Sequence, residues 1–324
     1  MQQEIRFATF NVFNLAPRGA RLYDNLLPST PEEYEAKIAW TARQIDLLDA
    51  DVIGFQEIFS QGALREALAR TRNYRDAHHI GFDPDPAAAR LTPSVALVSR
   101  LPLGGAATPH LLFPPGISLP PGSRDADRFT RAVIHVPVIL SPDCTVDVVV
   151  VHLKSRRPDY RNGDTGEDAQ IYATACLRSL VRRGTEAVGL RVMLSDLARA
   201  NKRPRVVLGD FNDVADSVTT AIVQGIGGPL GDRMFDSFDL QRSQDRIRQV
   251  GFSSMHDGRF STIDHILLSE EFNGALPTAI GEVVEVNYLN DHLVLALPEA
   301  SDHGQVLARI RLFDETHGLI DAGM

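Results

Sequence analysis

The chain has little cysteine, little tryptophan and no excess of positive charge. Two cysteines in 324 residues, Cys144 and Cys176, are too few for a disulfide framework, and neither stands in a spacing typical of a zinc site. A reduced protein is the expectation. Lys and Arg number 33 against 42 Asp and Glu, a formal net charge of −9. A protein that grips long nucleic acid by phosphate neutralisation is normally basic over at least one face, so strong non-specific duplex binding is not expected. Apolar runs such as Val148 to Val151 are strand-sized and far below the roughly 20 residues that span a bilayer. The opening residues run directly into a strand pattern, with no basic stretch followed by an apolar one. A cytoplasmic location with no membrane association is therefore expected, with secretion left open. Nothing in the sequence calls for an obligate protein partner.

With 44% hydrophobic and 23% charged residues, the chain has the material for a large core. There is no internal repeat and no low-complexity tract, and one domain over residues 1–324 is the expected organisation. Short β-branched or aromatic runs recur and end in polar residues. Ile5 to Val12 includes Asn11, Val52 to Phe55 leads to Gln56-Glu57, Val146 to Val151 ends at His152, and Val206 to Leu208 leads to Gly209-Asp210. Ser261 to Leu268 reads as a further strand containing Asp264, and Gln305 to Leu312 as the last, just after Asp302-His303.

Helical patterns lie between the strands. Pro31 to Leu48 follows a Ser29-Thr30 cap and opens with proline and two glutamates, and Asp168 to Arg199 is expected to break near Gly184 and Gly189. Trp40 falls within the first helix, where burial is its expected fate. Asp83 to Ala89 and Phe113 to Arg124 read as loops, the second long enough to rim a site.

Carboxylates and amides just beyond several strands can converge at one edge of a sheet. Asn11, Glu57, Asp210, Asn212 and Asp302 would supply the oxygen ligands that a hard divalent cation takes. His152, His303, Lys154 and Arg131 could neutralise charge on a phosphoryl group and activate water, with Asp264 as the orienting partner of His303. Each has a plainer reading in isolation: Asn11 as a turn residue, Glu57 as a charge at a helix start, Gly209 to Asp213 as an Asx turn, Lys154 with Arg156 and Arg157 as a solvated patch. Their recurrence at strand ends throughout one chain favours a site.

Six segments in order, Thr9-Phe10-Asn11-Val12, Gly54-Phe55-Gln56-Glu57, His152-Leu153-Lys154-Ser155, Gly209-Asp210-Phe211-Asn212-Asp213, Ile263-Asp264-His265-Ile266 and Ser301-Asp302-His303, resemble the motif set of the endonuclease/exonuclease/phosphatase superfamily. The resemblance implies a four-layered α/β sandwich, two mixed sheets packed face to face with helices outside. It implies Mg²⁺ or Mn²⁺ held by Glu57 with Asn11 and Asp302. Asp210 would position or deprotonate water, and Asn212 would steady phosphoryl oxygens. His303, oriented by Asp264, and His152 would sit at the phosphate, and Arg131 and Lys154 would contact it.

The segment Ser261 to His265 departs from the tryptophan-cysteine-aspartate-arginine pattern of inositol-polyphosphate phosphatases, and the chain lacks the wedge residues of abasic-site endonucleases and the aromatic hairpins of secreted sphingomyelinases. A phosphodiesterase acting on nucleic acid is the first expectation. A phosphatase or diesterase for small or lipid phosphoesters is the enzyme alternative, and a silent scaffold of the same fold the non-enzymatic one. Arg156, Arg157, Arg161, Lys202, Arg203 and Arg205 could form a basic rim if the fold gathers them.

Overall fold

The structure is a computed structural model that describes residues 3–85, 88–161, 163–228, 232–241, 251–256, 258–295 and 297–313. Two six-stranded mixed sheets face each other. The first has the order β13-β14-β1-β2-β4-β3, with β1 Glu4–Leu15, β2 Val52–Ile58, β3 His78–Gly81, β4 Ser94–Ser99, β13 Gly281–Leu289 and β14 Gln305–Leu312. The second has the order β5-β6-β7-β8-β12-β9, with β5 Thr108–Leu112, β6 Arg128–Ser141, β7 Cys144–His152, β8 Arg205–Asp210, β9 Met234–Asp236 and β12 Asp264–Ser269. A separate hairpin joins β10 Ser254–His256 to β11 Arg259–Ser261.

The two-residue period of a strand sorts the side chains. Ile5 and Phe7 of β1, Val146, Val148 and Val150 of β7, Val206 and Leu208 of β8, and Ile266 and Leu268 of β12 meet in the core between the sheets. Ala8, Phe10 and Val12 face the other way, onto helices α1 Pro31–Leu48 and α2 Gln61–Ala69. Val149, Val151, Val207 and Leu267 pack against α3 Ala169–Asn201. Each fully buried aliphatic or aromatic side chain contributes about 1.5–3 kcal/mol. The sheets come close at Gly54, where a Cβ would lie 2.7 Å from Leu208 Cβ.

Helix α1 has the expected bounds, with a Thr30–Glu33 capping box and Pro31 at its start. Trp40 is buried edge-on to Phe10, with ring centroids 5.9 Å apart. The break expected near Gly184 and Gly189 does not occur: α3 runs unbroken for 33 residues. Ala187, Leu190, Met193 and Leu194 anchor it to the second sheet, and a Cβ on Gly189 would meet Phe113 at 2.9 Å and Phe129 at 3.1 Å. Gly189 therefore permits close packing, and packing overrides a propensity cost of about 1 kcal/mol per glycine. Nothing lies within 4 Å of a Cβ at Gly184, and the structure offers no packing reason for that glycine.

The strand expected over Ser261 to Leu268 is two elements. Ser261 ends the hairpin, and β12 begins at Asp264. Between them the Thr262 hydroxyl donates to the Gly251 carbonyl and the Ile263 carbonyl accepts from Phe211 N–H. The Phe113 to Arg124 loop carries buried Phe113 against Phe129 and α3. Of the Asp83 to Ala89 loop, residues 86 and 87 lie outside the described residues. Among the described residues no helix is long and apolar enough to cross a membrane.

Candidate active site

The alternation that fills the inter-sheet core also builds the site. Asn11 continues the inward parity of Phe7, His152 that of Val150, Asp210 that of Leu208, and Asp264 that of Ile266. Strand β7 is parallel to β8, with His152 beside Asp210, and β12 is antiparallel to β8, with Asp264 opposite Asp210. The core thus turns polar at one edge, where these side chains are almost wholly buried.

Asp210 is the centre. Its Oδ2 accepts from Asn11 Nδ2 at 3.0 Å and lies 3.3 Å from His152 Nε2, while its Oδ1 accepts from the Asn212 N–H at 2.7 Å. His303 Nε2 lies 3.9 Å from the same Oδ2, and His303 Nδ1 lies 2.8 Å from Asp264 Oδ2. Burial and the negative Asp264 push the Asp210 carboxyl up, to about 7, against the opposing pull of His303 and the two amide donors. Burial opposes charging of His303, yet the Asp264 and Asp210 carboxylates hold its pKa well above the ordinary histidine value. His152 goes the other way: burial first, then the cationic Arg131 and His303, drive it well below, so it is neutral.

A second group flanks this one. Strands β1 and β2 slip register between Asn11 and Leu15, and β2 and β4 between Phe55 and Ile58. These irregularities let the Glu57 carboxylate accept the Asn14 N–H at 3.0 Å. Burial pushes the Glu57 carboxyl up, a shift that His303 opposes and Asp302 reinforces. Asp302 stands on the solvent side, its side chain 58% exposed and its Oδ1 4.0 Å from His303 Nε2. Asn11, expected beside Glu57, faces Asp210 with its amide nitrogen, and its oxygen accepts the Phe13 N–H at 3.0 Å.

The remaining expected residues form one wall. Asn212 Nδ2 and Arg131 Nη1 both donate to the Leu153 carbonyl, at 3.0 and 3.3 Å. Arg131 Nε is buried without a partner. Among the described residues Lys154 Nζ reaches only the Ser155 carbonyl and hydroxyl and the Arg157 carbonyl, and burial, then Arg131, lowers its pKa to about 8. Of the described non-glycine residues with positive φ, Phe13 (55°) and Asn14 (58°) of β1, Glu57 (61°) of β2 and Asn212 (52°) just after β8 border the site. Such strain persists only where the surroundings over-determine it, and it gathers at functional sites.

Several contributors escaped the sequence reading. Ser301 Oγ donates to the Asn11 carbonyl at 2.6 Å and accepts the His303 N–H at 3.0 Å, tying two distant segments. Ser253 Oγ accepts the N–H groups of Ile263 and Asp264, both at 3.1 Å. Lys37 lies over Phe13 and Trp40, and burial lowers its pKa to about 8 despite the nearby Asp302 and Glu57. Ser301 sits within a quoted segment and could have been found; Ser253 and Lys37 carry no local signal.

The expected basic rim is not assembled as one group: Arg157 stays near the site, over the Tyr23 ring at 5.9 Å, but others lie elsewhere. Arg205 begins β8, at the end opposite Asp210, and is buried, donating to the Leu194 carbonyl and Asp232. Lys202 and Arg203 line a cavity of about 670 Å³ with Ser141 to Thr145, and Arg203 faces Asp147. Arg156 is paired with Asp213 at 2.5 Å. A strand's two ends lie too far apart for one rim to include both groups.

The sequence model of the Endonuclease/Exonuclease/phosphatase family matches residues 8–303, from just before Asn11 to His303 itself. No curated protein sequence matches the chain. Among solved structures, an endonuclease/exonuclease/phosphatase family protein from Bacteroides thetaiotaomicron superposes with a TM-score of 0.59 at 16% identity, covering 98% of each chain. The human Nocturnin catalytic domain with bound sulfate gives 0.58 at 14% identity, over 96% of this chain and 98% of that one. Humanized D. rerio TDP2 gives 0.58 at 13%, over 95% and 98%. These likenesses carry the fold. With the family match across the whole site, they establish that the chain belongs to the endonuclease/exonuclease/phosphatase family, whose members are metal-dependent phosphoric ester hydrolases.

Proposed function

We propose that the chain hydrolyses a phosphodiester by in-line attack of water, with Asp210 as the proton acceptor and no covalent intermediate. The observation that carries the reading is the buried array around Asp210: two amides hold its two oxygens, one neutral histidine lies beside it, and a charged histidine backed by a second carboxylate lies beyond. A carboxyl with a pKa near 7 is matched to taking a proton from water at neutral pH. Charged His303 faces the position where negative charge grows on the phosphoryl oxygens, and Asp264 fixes its ring. Neutral His152, the Asn212 amide, Arg131 and Lys154 supply donors to the same phosphate.

The donor set fits a hard divalent cation. Glu57 offers a carboxylate that accepts only one backbone N–H among the hydrogen bonds of the described residues, burial penalises its charge, and Asp302 and the Asn11 side-chain oxygen, which also accepts the Phe13 N–H, add oxygen donors. Asp210, Asp264 and His303 also bring three donor atoms within 4.8 Å of one another. Binding an ion there would compete with the Asp264–His303 bond, so we assign the ion to Glu57, Asp302 and Asn11. Mg²⁺ or Mn²⁺ bound by these residues would neutralise phosphate charge and polarise the P–O bond.

For the substrate, we propose short or single-stranded nucleic acid. A net charge of −9 and the scattering of the predicted rim speak against a grip on long duplex. The same scattering favours a second reading, a small phosphoester held only at its phosphate. The test is hydrolysis of bis-(p-nitrophenyl) phosphate, single-stranded DNA, RNA and supercoiled plasmid, with Mg²⁺, Mn²⁺ or EDTA and Asp210→Asn as control. Metal-dependent cleavage of single strands that the variant lacks supports the nuclease; cleavage of the small diester alone supports the second reading. Silence on every substrate with every metal overturns both and leaves a scaffold.

A further inference from the structure

Strand β12 carries two polar residues in succession, and its alternation sends them to opposite faces. Asp264 enters the site; His265 points outward and is 1% exposed. Its Nδ1 lies 2.7 Å from Asp236 Oδ2 and its Nε2 lies 2.9 Å from the Asp213 carbonyl oxygen. The ring meets Phe211 edge-on, with centroids 5.2 Å apart. Both neighbouring oxygens accept, so each ring nitrogen that bonds them donates.

Asp236 is a fixed support. It ends β9, which pairs with β12, and its Oδ1 accepts the Phe238 N–H at 2.9 Å. Asp213 is held from its other end, where its carboxylate accepts from Arg183 at 3.1 Å, Arg156 and the Thr219 hydroxyl at 2.7 Å. Asn212, at a φ of 52°, immediately precedes Asp213. A left-handed conformation is less favourable than the right-handed one even for asparagine, so neighbouring contacts help to hold it.

We propose that His265 is a positioning residue for phosphoester hydrolysis: it pins the Asp213 carbonyl, one residue beyond Asn212, and so fixes the turn that keeps the Asn212 N–H on Asp210 and its amide on the Leu153 carbonyl. The inference rests on the roles given above to Asp210 and Asn212. His265 touches no reacting atom; it acts through the loop that carries both. Asp236 orients the ring, and Phe211 sets its plane.

Glutamine and leucine separate the bond from the bulk. Gln can place its Nε2 where the histidine Nε2 lies, whereas Leu fills similar space without a donor. His265→Leu should lose about tenfold or more in kcat with KM little changed, as expected for a misplaced catalytic loop. His265→Gln should recover most of that loss. A readout independent of activity is the Asn212 side-chain amide signal in NMR, expected to be slow in hydrogen exchange in the parent and the Gln variant and fast in the Leu variant.

Thermal unfolding of each variant sets a temperature at which all are folded. If Leu does not fold, Asp236→Asn, which keeps the ring but weakens its support, takes its place and should lower kcat and loosen the Asn212 amide. Equal kcat and equal Asn212 exchange in the Gln and Leu variants, or parent-like kcat in Leu, overturns the proposal. If the parent itself hydrolyses no phosphoester, the functional reading fails, and Asn212 exchange still decides whether His265 positions the loop.

Discussion

Asp264→Asn keeps the shape of the side chain and removes a negative charge that acts on two partners. His303 Nδ1 lies 2.8 Å away, and Asp210 stands directly across the strand pair. Burial disfavours the charged His303 ring, and Asp264, then Asp210, more than reverse that penalty. A charge-assisted hydrogen bond contributes about 1.5–3 kcal/mol, and stranding a buried charge costs about 3–5 kcal/mol. Asp210, 3.9 Å from Nε2, still faces the ring, so a loss of about 2–3 kcal/mol near neutrality is expected. Because the folded pKa of His303 is raised above its unfolded value of about 6.5, this stabilisation is complete below about pH 6.5 and is lost as pH rises through the folded pKa. The gap between parent and variant in urea unfolding should therefore narrow at alkaline pH.

In catalysis the two partners respond in distinguishable ways. Loss of the oriented, charged ring should lower the plateau of kcat by about 10²–10⁴-fold. Asp210, whose carboxyl is raised by burial and by Asp264, ionises more readily in the variant, so the acid limb of kcat/KM should move to lower pH. The assay is kcat/KM for bis-(p-nitrophenyl) phosphate across pH with saturating Mn²⁺. A plateau within about twofold of the parent, a smaller effect than any orienting role allows, or a limb displaced upward would refute the reasoning.

Glu57→Gln should weaken Mn²⁺ binding by about tenfold or more in calorimetry. It should also stabilise the metal-free protein by about 1 kcal/mol, since burial penalises the Glu57 charge. A carboxyl raised on folding loses stability as pH climbs from about 4.3 to its folded value, so that gain grows across this range and is complete above it; unchanged metal affinity would count against the assignment. On the role proposed above, Arg131→Ala should raise KM for a phosphodiester about tenfold or more by removing a donor to the phosphate; an unchanged KM would place Arg131 outside the substrate contact. Arg205→Ala should cost about 2–4 kcal/mol in unfolding experiments, because it empties a buried side-chain volume and removes the donor to the Leu194 carbonyl while Asp232 keeps Arg191 and Ser195, and it should leave KM untouched. A raised KM with unchanged stability would restore Arg205 to a substrate-facing rim.

Much of the fold could be read from periodicity. The valine runs of β7 and β8, the capping box of α1 and the last strand stand where the pattern puts them. Local reasoning failed where tertiary packing outweighed it. Gly189 reads as a helix breaker, but its missing Cβ makes room for Phe113 and Phe129. Thr262 and Ile263 read as strand, but turn to serve Gly251 and Phe211.

The candidate site divides along the same line. By itself the sequence determined which chemistries are present and that Asn11, His152, Asp210 and Asp264 stand in or at the ends of strand-like runs, because a strand pattern is a property of each segment alone. Register between strands is not. The pairing of Asp264 with Asp210 and the slip that turns Glu57 to Asn14 belong to contacts between residues far apart in the chain. The same contacts raise one histidine and depress another. Cations that look alike in sequence likewise take different places because β8 has two ends: Arg205 becomes an internal support, Lys202 and Arg203 line a distant cavity, and Arg156 is spent on Asp213. Burial and charge depend on what surrounds a residue in space, and only the tertiary structure decides that.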